Sequence, residues 1–177
     1  MEARYGRTAR VLHWLIGILL LAQFAFGWWL TGIPRNTPDR GTFVNFHKSC
    51  GIILGLLILF RLYWRFRHSA PRFPATLALW QQRAASVNHL ALYTCMVVMP
   101  LSGYIASNFS RFGVKFFNVI LFPPWGPDNK LVYGAFNQIH KTTALILGAV
   151  LVAHVLAAVW HGLHRDGIFN RIWLRPF

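Results

Sequence analysis

The fourth apolar block decides the fold: Gln138-Ile139-His140-Lys141-Thr142-Thr143-Ala144-Leu145-Ile146-Leu147-Gly148-Ala149-Val150-Leu151-Val152-Ala153-His154, running on to Leu163. Roughly 20 residues at ~1.5 Å rise cross the ~30 Å core of a bilayer, so this run is long enough to span one. Its two histidines stand 14 residues apart, close to four turns of helix and about 21 Å of rise at ~3.6 residues per turn. One helix therefore presents two imidazoles on one stripe, one toward each membrane surface. Ionisable groups at such depth are rare and mark functional sites.

Three more blocks of the same kind precede it. Helices are predicted over about Val11–Leu30, Phe46–Arg65, Ser86–Ala106 and Gln138–Leu163, in a single domain over residues 1–177. Hydrophobic residues make up 55 % of the chain and charged residues 12 %, about half the charged share of a soluble domain. The expected class is all-α, an integral membrane four-helix bundle. The first block is too long for a signal peptide and has no clear cleavage site, so it is expected to stay in the mature chain. Cys50 and Cys95 both fall inside apolar blocks and are expected to pack as small apolar groups, without a disulfide.

The net charge of +14 does not point to nucleic acid, because the basic residues fill the gaps between apolar blocks. Eleven of the eighteen lie before the first block, around the second gap or after the last block, including Arg4, Arg7, Arg10, Arg65, Arg67, Arg72 and Arg175. The bias predicts that both termini are cytoplasmic. The outer side then carries Arg35, Arg40, Lys48, Arg111, Lys115, Lys130 and Lys141 against Asp39 and Asp128. The long outer loop holds an apolar stretch, Phe112–Phe122, too short to span and expected to lie on the membrane surface with Trp125 among the headgroups.

An internal echo orders the histidines. Phe46-His47-Lys48-Ser49-Cys50-Gly51-Ile52-Ile53-Leu54-Gly55 resembles Ile139-His140-Lys141-Thr142-Thr143-Ala144-Leu145-Ile146-Leu147-Gly148. Both open an inbound helix, so helices two and four run parallel with His47 and His140 at one depth near the outer face. His13 opens the first helix from inside, at a depth to meet His154; His89 opens the third from inside and competes for that partner. A haem is a flat disc that needs small residues where it meets a helix. Gly51 and Gly55 follow His47 at four and eight residues, Gly148 follows His140 at eight, and Gly17 follows His13 at four, whereas Tyr93 follows His89. Small residues also serve helix packing in membranes, but their register with the histidines favours His47–His140 as the outer pair and His13–His154 as the inner one.

Ligand type selects the metal. Glu2, Asp39, Asp128 and Asp166 all fall outside the spans, which excludes a di-iron carboxylate centre. Zinc takes three or four close ligands, and these histidines come in separated pairs. Two axial imidazoles on haem iron fit best and leave no open coordination site, which favours electron transfer. No C-x-x-C-H occurs, so covalent c-type attachment is not expected. Arg61 lies 14 residues after His47, at the depth of His154. Its partner is either a propionate of the inner haem or the cytoplasmic headgroups, reached by snorkelling.

Arg10-Val11-Leu12-His13-Trp14-Leu15, the His47–Gly51 segment, His89 with Pro100-Leu101-Ser102-Gly103, and His140 through His154 to His161 together resemble the prokaryotic cytochrome b561 family, over essentially the whole chain. The resemblance implies two bis-histidine haem b groups in a four-helix bundle of the bacterial inner membrane, in exchange with the quinone pool of the respiratory chain. One type in the family is a superoxide oxidase that reduces ubiquinone; related cytochromes anchor hydrogenases and formate dehydrogenases. The Phe-rich outer loop departs from any motif of the family. The expected function is therefore electron transfer, in one form a superoxide:ubiquinone oxidoreductase and in the other a haem anchor for a partner dehydrogenase or cytochrome. A proton-relaying transporter, colourless when purified, is the third reading. Lys48 and Lys141 adjoin the outer pair and are candidates to attract a small anion. His89 and His161 are candidates to line a quinone site or relay its protons.

Overall fold

The computed structural model describes residues 4–74 and 77–174; Glu2 and Arg175 lie outside them. Helix α1 spans Arg7–Gly32, α2 Arg40–Arg67, α3 Leu79–Asn108 and α4 Lys130–His164. Each is long and apolar enough to cross a membrane. A short hairpin, β1 Val114–Phe116 and β2 Ile120–Phe122, precedes α4, and one 3-10 turn, Phe169–Arg171, follows it.

The helices outrun the apolar runs that announce them, because backbone hydrogen bonding continues past the hydrocarbon until a local signal stops it. Asn129 caps α4, its side chain accepting from the backbone of Leu131 and Val132. The Gln81 side chain accepts from Ala78 N at the start of α3. α1 stops before Ile33-Pro34, where the residue preceding proline is pushed out of helical geometry. Arg165 turns left-handed, with φ 51°, to end α4. His47 is consequently the eighth residue of α2 and His140 the eleventh of α4. Both sit two to three turns inside their helices, deeper than a helix-opening residue.

α3 and α4 form the most extensive helix pair, α1 packs on α2 and α2 on α3, while α4 keeps its backbone away from α1 and α2. The core between them is one cluster that includes Leu12, Ile16, Leu20, Leu54, Ile58, Leu92, Met96 and Leu147. Leu21, Leu56, Leu145 and Leu156 face outward and are more than half exposed, as lipid-facing residues of a bundle must be. Cys50 and Cys95 are free thiols.

The Phe112–Phe122 stretch is not a continuous apolar surface segment. It folds back on itself, with Val114 opposite Phe122 and Phe116 opposite Ile120. Phe117 and Asn118 take φ of 46° and 61°, the left-handed backbone of a tight turn. Polar side chains of α2 dock it: Ser49 Oγ accepts from Phe117 N at 2.8 Å, Asn45 Oδ1 accepts from Lys115 N at 3.3 Å, and Lys48 Nζ donates to Gly113 O at 2.9 Å. At the opposite end the C-terminal residues strap across the bundle. Arg4 and Arg10 donate to Trp173 O, Trp14 Nε1 donates to Ile172 O, and Arg171 donates to Pro71 O and Arg72 O. Both chain ends and the α2–α3 loop therefore meet at one end, as an even number of crossings requires.

Candidate functional site

At the hairpin end, His47 of α2 faces His140 of α4, with ring centroids 6.2 Å apart and ring planes at 89°. His140 donates from Nδ1 to Met99 O at 2.7 Å. A carbonyl only accepts, so the proton sits on Nδ1 and the Nε2 lone pair is free. His47 is held from its backbone, where Gln23 Nε2 of α1 donates to His47 O at 2.6 Å. Its Nδ1 is buried without a protein partner, a cost that a fold tolerates at sites under functional constraint.

Four helices converge at the other level. His13 of α1 lies 6.0 Å from His154 of α4 between centroids, and His89 of α3 lies 5.6 Å from the same ring. Arg61 of α2 reaches inward: Nη1 donates to Ala9 O and Nη2 to His13 Nδ1, both at 3.3 Å. Its guanidinium also lies 6.0 Å from the Tyr93 ring centre. The side chain thus points at the inner histidines. A guanidinium has no acceptor, so this bond makes His13 Nδ1 the acceptor and leaves the proton on Nε2. Iron ligation through Nε2 needs the opposite tautomer, in which Arg61 has turned to another partner.

The other candidate residues are spread out. A Cβ built on Gly148 would come within 3.0 Å of Phe24, so this glycine lets the Phe24 side chain of α1 pack closely on α4, whereas Cβ atoms on Gly51 and Gly55 would meet Gln23 and Pro100 at an ordinary 3.5 Å. At Gly17 nothing lies within 4 Å. Lys48 is committed to the loop carbonyl at Gly113, whereas Lys141 is exposed. His161 is hydrogen-bonded to Asp166 just past the end of α4, outside the inner cluster. Gly27 and Gly103, absent from the sequence-derived set, are the glycines that touch the outer rings: added Cβ atoms would come within 2.9 Å of His47 Cε1 and of His140 Nδ1. The signal was present, since Gly27 stands four residues after Gln23 and Gly103 closes Pro100-Leu101-Ser102-Gly103, but each acts on a histidine of another helix, which spacing along one helix cannot reveal.

The rings fit haem. An imidazole nitrogen bonds a first-row metal at about 2.0–2.1 Å and the ring centre lies roughly 1 Å behind it, so two imidazoles on one ion stand about 6 Å apart between centroids. The outer pair and His13–His154 both meet that spacing, and the backbone of α4 lies less close to α1 and α2 than to α3. His89–His154 spans the tightly packed α3–α4 interface, where Asn88 Nδ2 donates directly to Val150 O at 3.2 Å. Among the described residues no group of three or more His, Cys, Asp or Glu is arranged to hold a bare metal ion.

Comparison with known proteins agrees with this chemistry. The family model described as prokaryotic cytochrome b561 matches residues 4–174. Cytochrome b561 homolog 1 of Escherichia coli (strain K12) is 30 % identical over 179 residues, covering 97 % of this chain and 98 % of the relative. Cytochrome b561 homolog 2 of the same organism is 31 % identical over 170 residues, covering 96 % and 90 %.

Proposed function

Since the chain belongs to the prokaryotic cytochrome b561 family, and so is a multi-pass bacterial membrane cytochrome of b type that transfers electrons, we propose that it holds two haems, one per level, and exchanges electrons with a quinone across the inner membrane. The observation that carries this reading is the pair of facing imidazoles repeated at two levels, at 6.2 Å and 6.0 Å. Histidine-ligated haem iron supplies a reversible one-electron couple.

The residues of the chain do the rest. His47 and His140 hold the outer group and His13 and His154 the inner one. Met99 O keeps His140 in the tautomer that ligates. With the inner group bound, Arg61 would turn from His13 Nδ1 to a carboxylate of that group, so that the cation would keep a partner in both states. Lipid-facing leucines keep the levels dry, which strengthens every charge interaction within them. His89, next to His154 but not needed as a ligand, is placed to pass a proton to or from a quinone at the inner level; His161, held by Asp166, stands nearer the inner surface for the same task.

The electron source at the outer level is superoxide in the form we favour. Arg35, Lys115, Lys130 and Lys141 are exposed there, and the surplus of cations over Asp39 and Asp128 attracts small anions at a rate that falls with salt. The second form, delivery from a partner dehydrogenase or cytochrome, draws on the same surface and predicts co-purification of that partner. A reduced-minus-oxidised spectrum and a haem-to-polypeptide ratio of two test the cofactor reading; a colourless protein refutes it. Stopped-flow mixing with superoxide then tests the donor: haem reduction without any partner supports the oxidase, and no reaction removes it.

A further inference from the structure

We propose that Gly27 of α1 and Gly103 of α3 form a cradle that sets the angle and position of the two outer ligand rings, so that the helices supplying no outer ligand determine the outer site by their missing side chains. The proposal rests on the di-haem reading above and deepens it.

The geometry carries it. An added Cβ at Gly103 would lie 2.9 Å from His140 Nδ1 and 3.1 Å from Cε1, and one at Gly27 would lie 2.9 Å from His47 Cε1. Ordinary contact begins near 3.4 Å, so each ring must shift by about half an ångström to admit a methyl group. His140 cannot make that shift freely. Its Nδ1 is tied at 2.7 Å to Met99 O, one turn before Gly103 on the same helix, so a methyl at 103 pushes against the ring where the carbonyl at 99 holds it. Met99 O also accepts from Ser102 Oγ at 3.0 Å, and the Pro100-Leu101-Ser102-Gly103 run thus acts as one clamp on a ring of α4. On the other side, Gln23 fixes the backbone of His47 at 2.6 Å and Gly27, one turn on, lets its ring lie against α1. The two clamps hold the ring planes at 89°.

Among the described glycines none lies against His13, His89 or His154. Gly17 has open space around it, and the rings of His13 and His154 meet at 58° among a third histidine and Arg61. The perpendicular outer pair brings two iron d orbitals close to degeneracy, which gives a low-spin ferric signal of high anisotropy in electron paramagnetic resonance. The outer and inner sites should therefore differ in that spectrum, and the difference depends on the glycines.

The test uses full-length protein in detergent with Gly27→Ala and Gly103→Ala, and Gly134→Ala as control, since nothing lies within 4 Å of its added Cβ. Haem per polypeptide is measured chemically and the ferric spectrum recorded. The expected result is loss of the highly anisotropic signal, or its shift to lower anisotropy, with haem content falling from two toward one, while the inner signal and the control are unchanged. Two haems and an unaltered spectrum in both alanine variants overturn the cradle, as does equal loss of both haems from both variants. Fewer than two haems in the unsubstituted protein instead overturns the di-haem reading beneath it.

Discussion

Replacing His13 and His89 separately tests which imidazole completes the inner site. Both rings approach His154, at 6.0 Å and 5.6 Å, so centroid distance alone does not choose. Interhelix space does. A ligating pair must hold its helices apart by two imidazoles and a macrocycle, yet beside His89 the Asn88 amide reaches Val150 O directly, at 3.2 Å. α1 and α4 approach less closely along their backbones than α3 and α4 do, and beside Gly148 it is the Phe24 ring that lies between them. His13→Ala should therefore halve the haem content, from two per polypeptide to one, and His89→Ala should leave two. Removing His13 also takes an acceptor from Arg61, and a lost hydrogen bond to a charged group costs about 1.5–3 kcal/mol. His13→Gln separates the effects, because a glutamine oxygen can accept from Arg61 but does not ligate haem iron: it should keep more of the thermal stability yet lose the same haem. The assay is the chemically determined haem-to-protein ratio with the reduced-minus-oxidised spectrum, and free imidazole added to His13→Ala should restore part of the lost band. Two haems in His13→Ala together with one in His89→Ala would show that α3 and α4 open to admit the cofactor and that the spacing argument is wrong.

Three further outcomes are expected. Arg61→Leu removes a cation beside the inner site and should lower the potential of one haem only, by on the order of 1 kcal/mol or about 40 mV; redox titration checks it, and an unchanged potential would mean that Arg61 faces the headgroups when the protein is loaded. Ser49→Ala removes the acceptor of Phe117 N and should loosen the hairpin by about 1–3 kcal/mol, seen as faster amide exchange over residues 114–122, while exchange in α4 stays unchanged. Trp14→Phe deletes the bond to Ile172 O and should speed proteolysis of the C-terminal strap by roughly two- to tenfold, for a bond worth about 0.5–1.5 kcal/mol, with both haems retained.

The spans and the two levels of histidines were legible because both are periodic along single helices. The 14-residue interval from His140 to His154 is a property of one helix, and the echo between His47 and His140 fixes depth without tertiary information. What escaped was the geometry made between elements. The register of glycine with histidine on one helix pointed to Gly51, Gly55 and Gly148, which face Gln23, Pro100 and Phe24; the glycines that touch His47 and His140 come from the other two helices, α1 and α3. The hairpin escaped because Phe112–Phe122 reads as one apolar run, and only the docking bonds from Asn45, Lys48 and Ser49 on α2 fold it back. The strap escaped because its donors, Arg4, Arg10 and Trp14, bond to backbone carbonyls, and any sequence has those.

The two levels are built on one plan with different contents. In the echo, Arg61 stands 14 residues after His47 as His154 stands 14 after His140, so α2 presents a guanidinium where its counterpart presents an imidazole. At the outer level α2 and α4 supply rings while α1 and α3 supply glycines; at the inner level every helix supplies a polar group, His13, Arg61, His89 and His154. At the outer level His140 Nδ1 is committed to Met99 O, and His47 Nδ1 is buried without a protein partner. A site with a spare imidazole and a cation can compensate charge as an electron arrives. The proposed exchange with a quinone needs protons as well as electrons, so the inner level, where His89 and Arg61 lie beside His13 and His154, is where that proposal is to be tested.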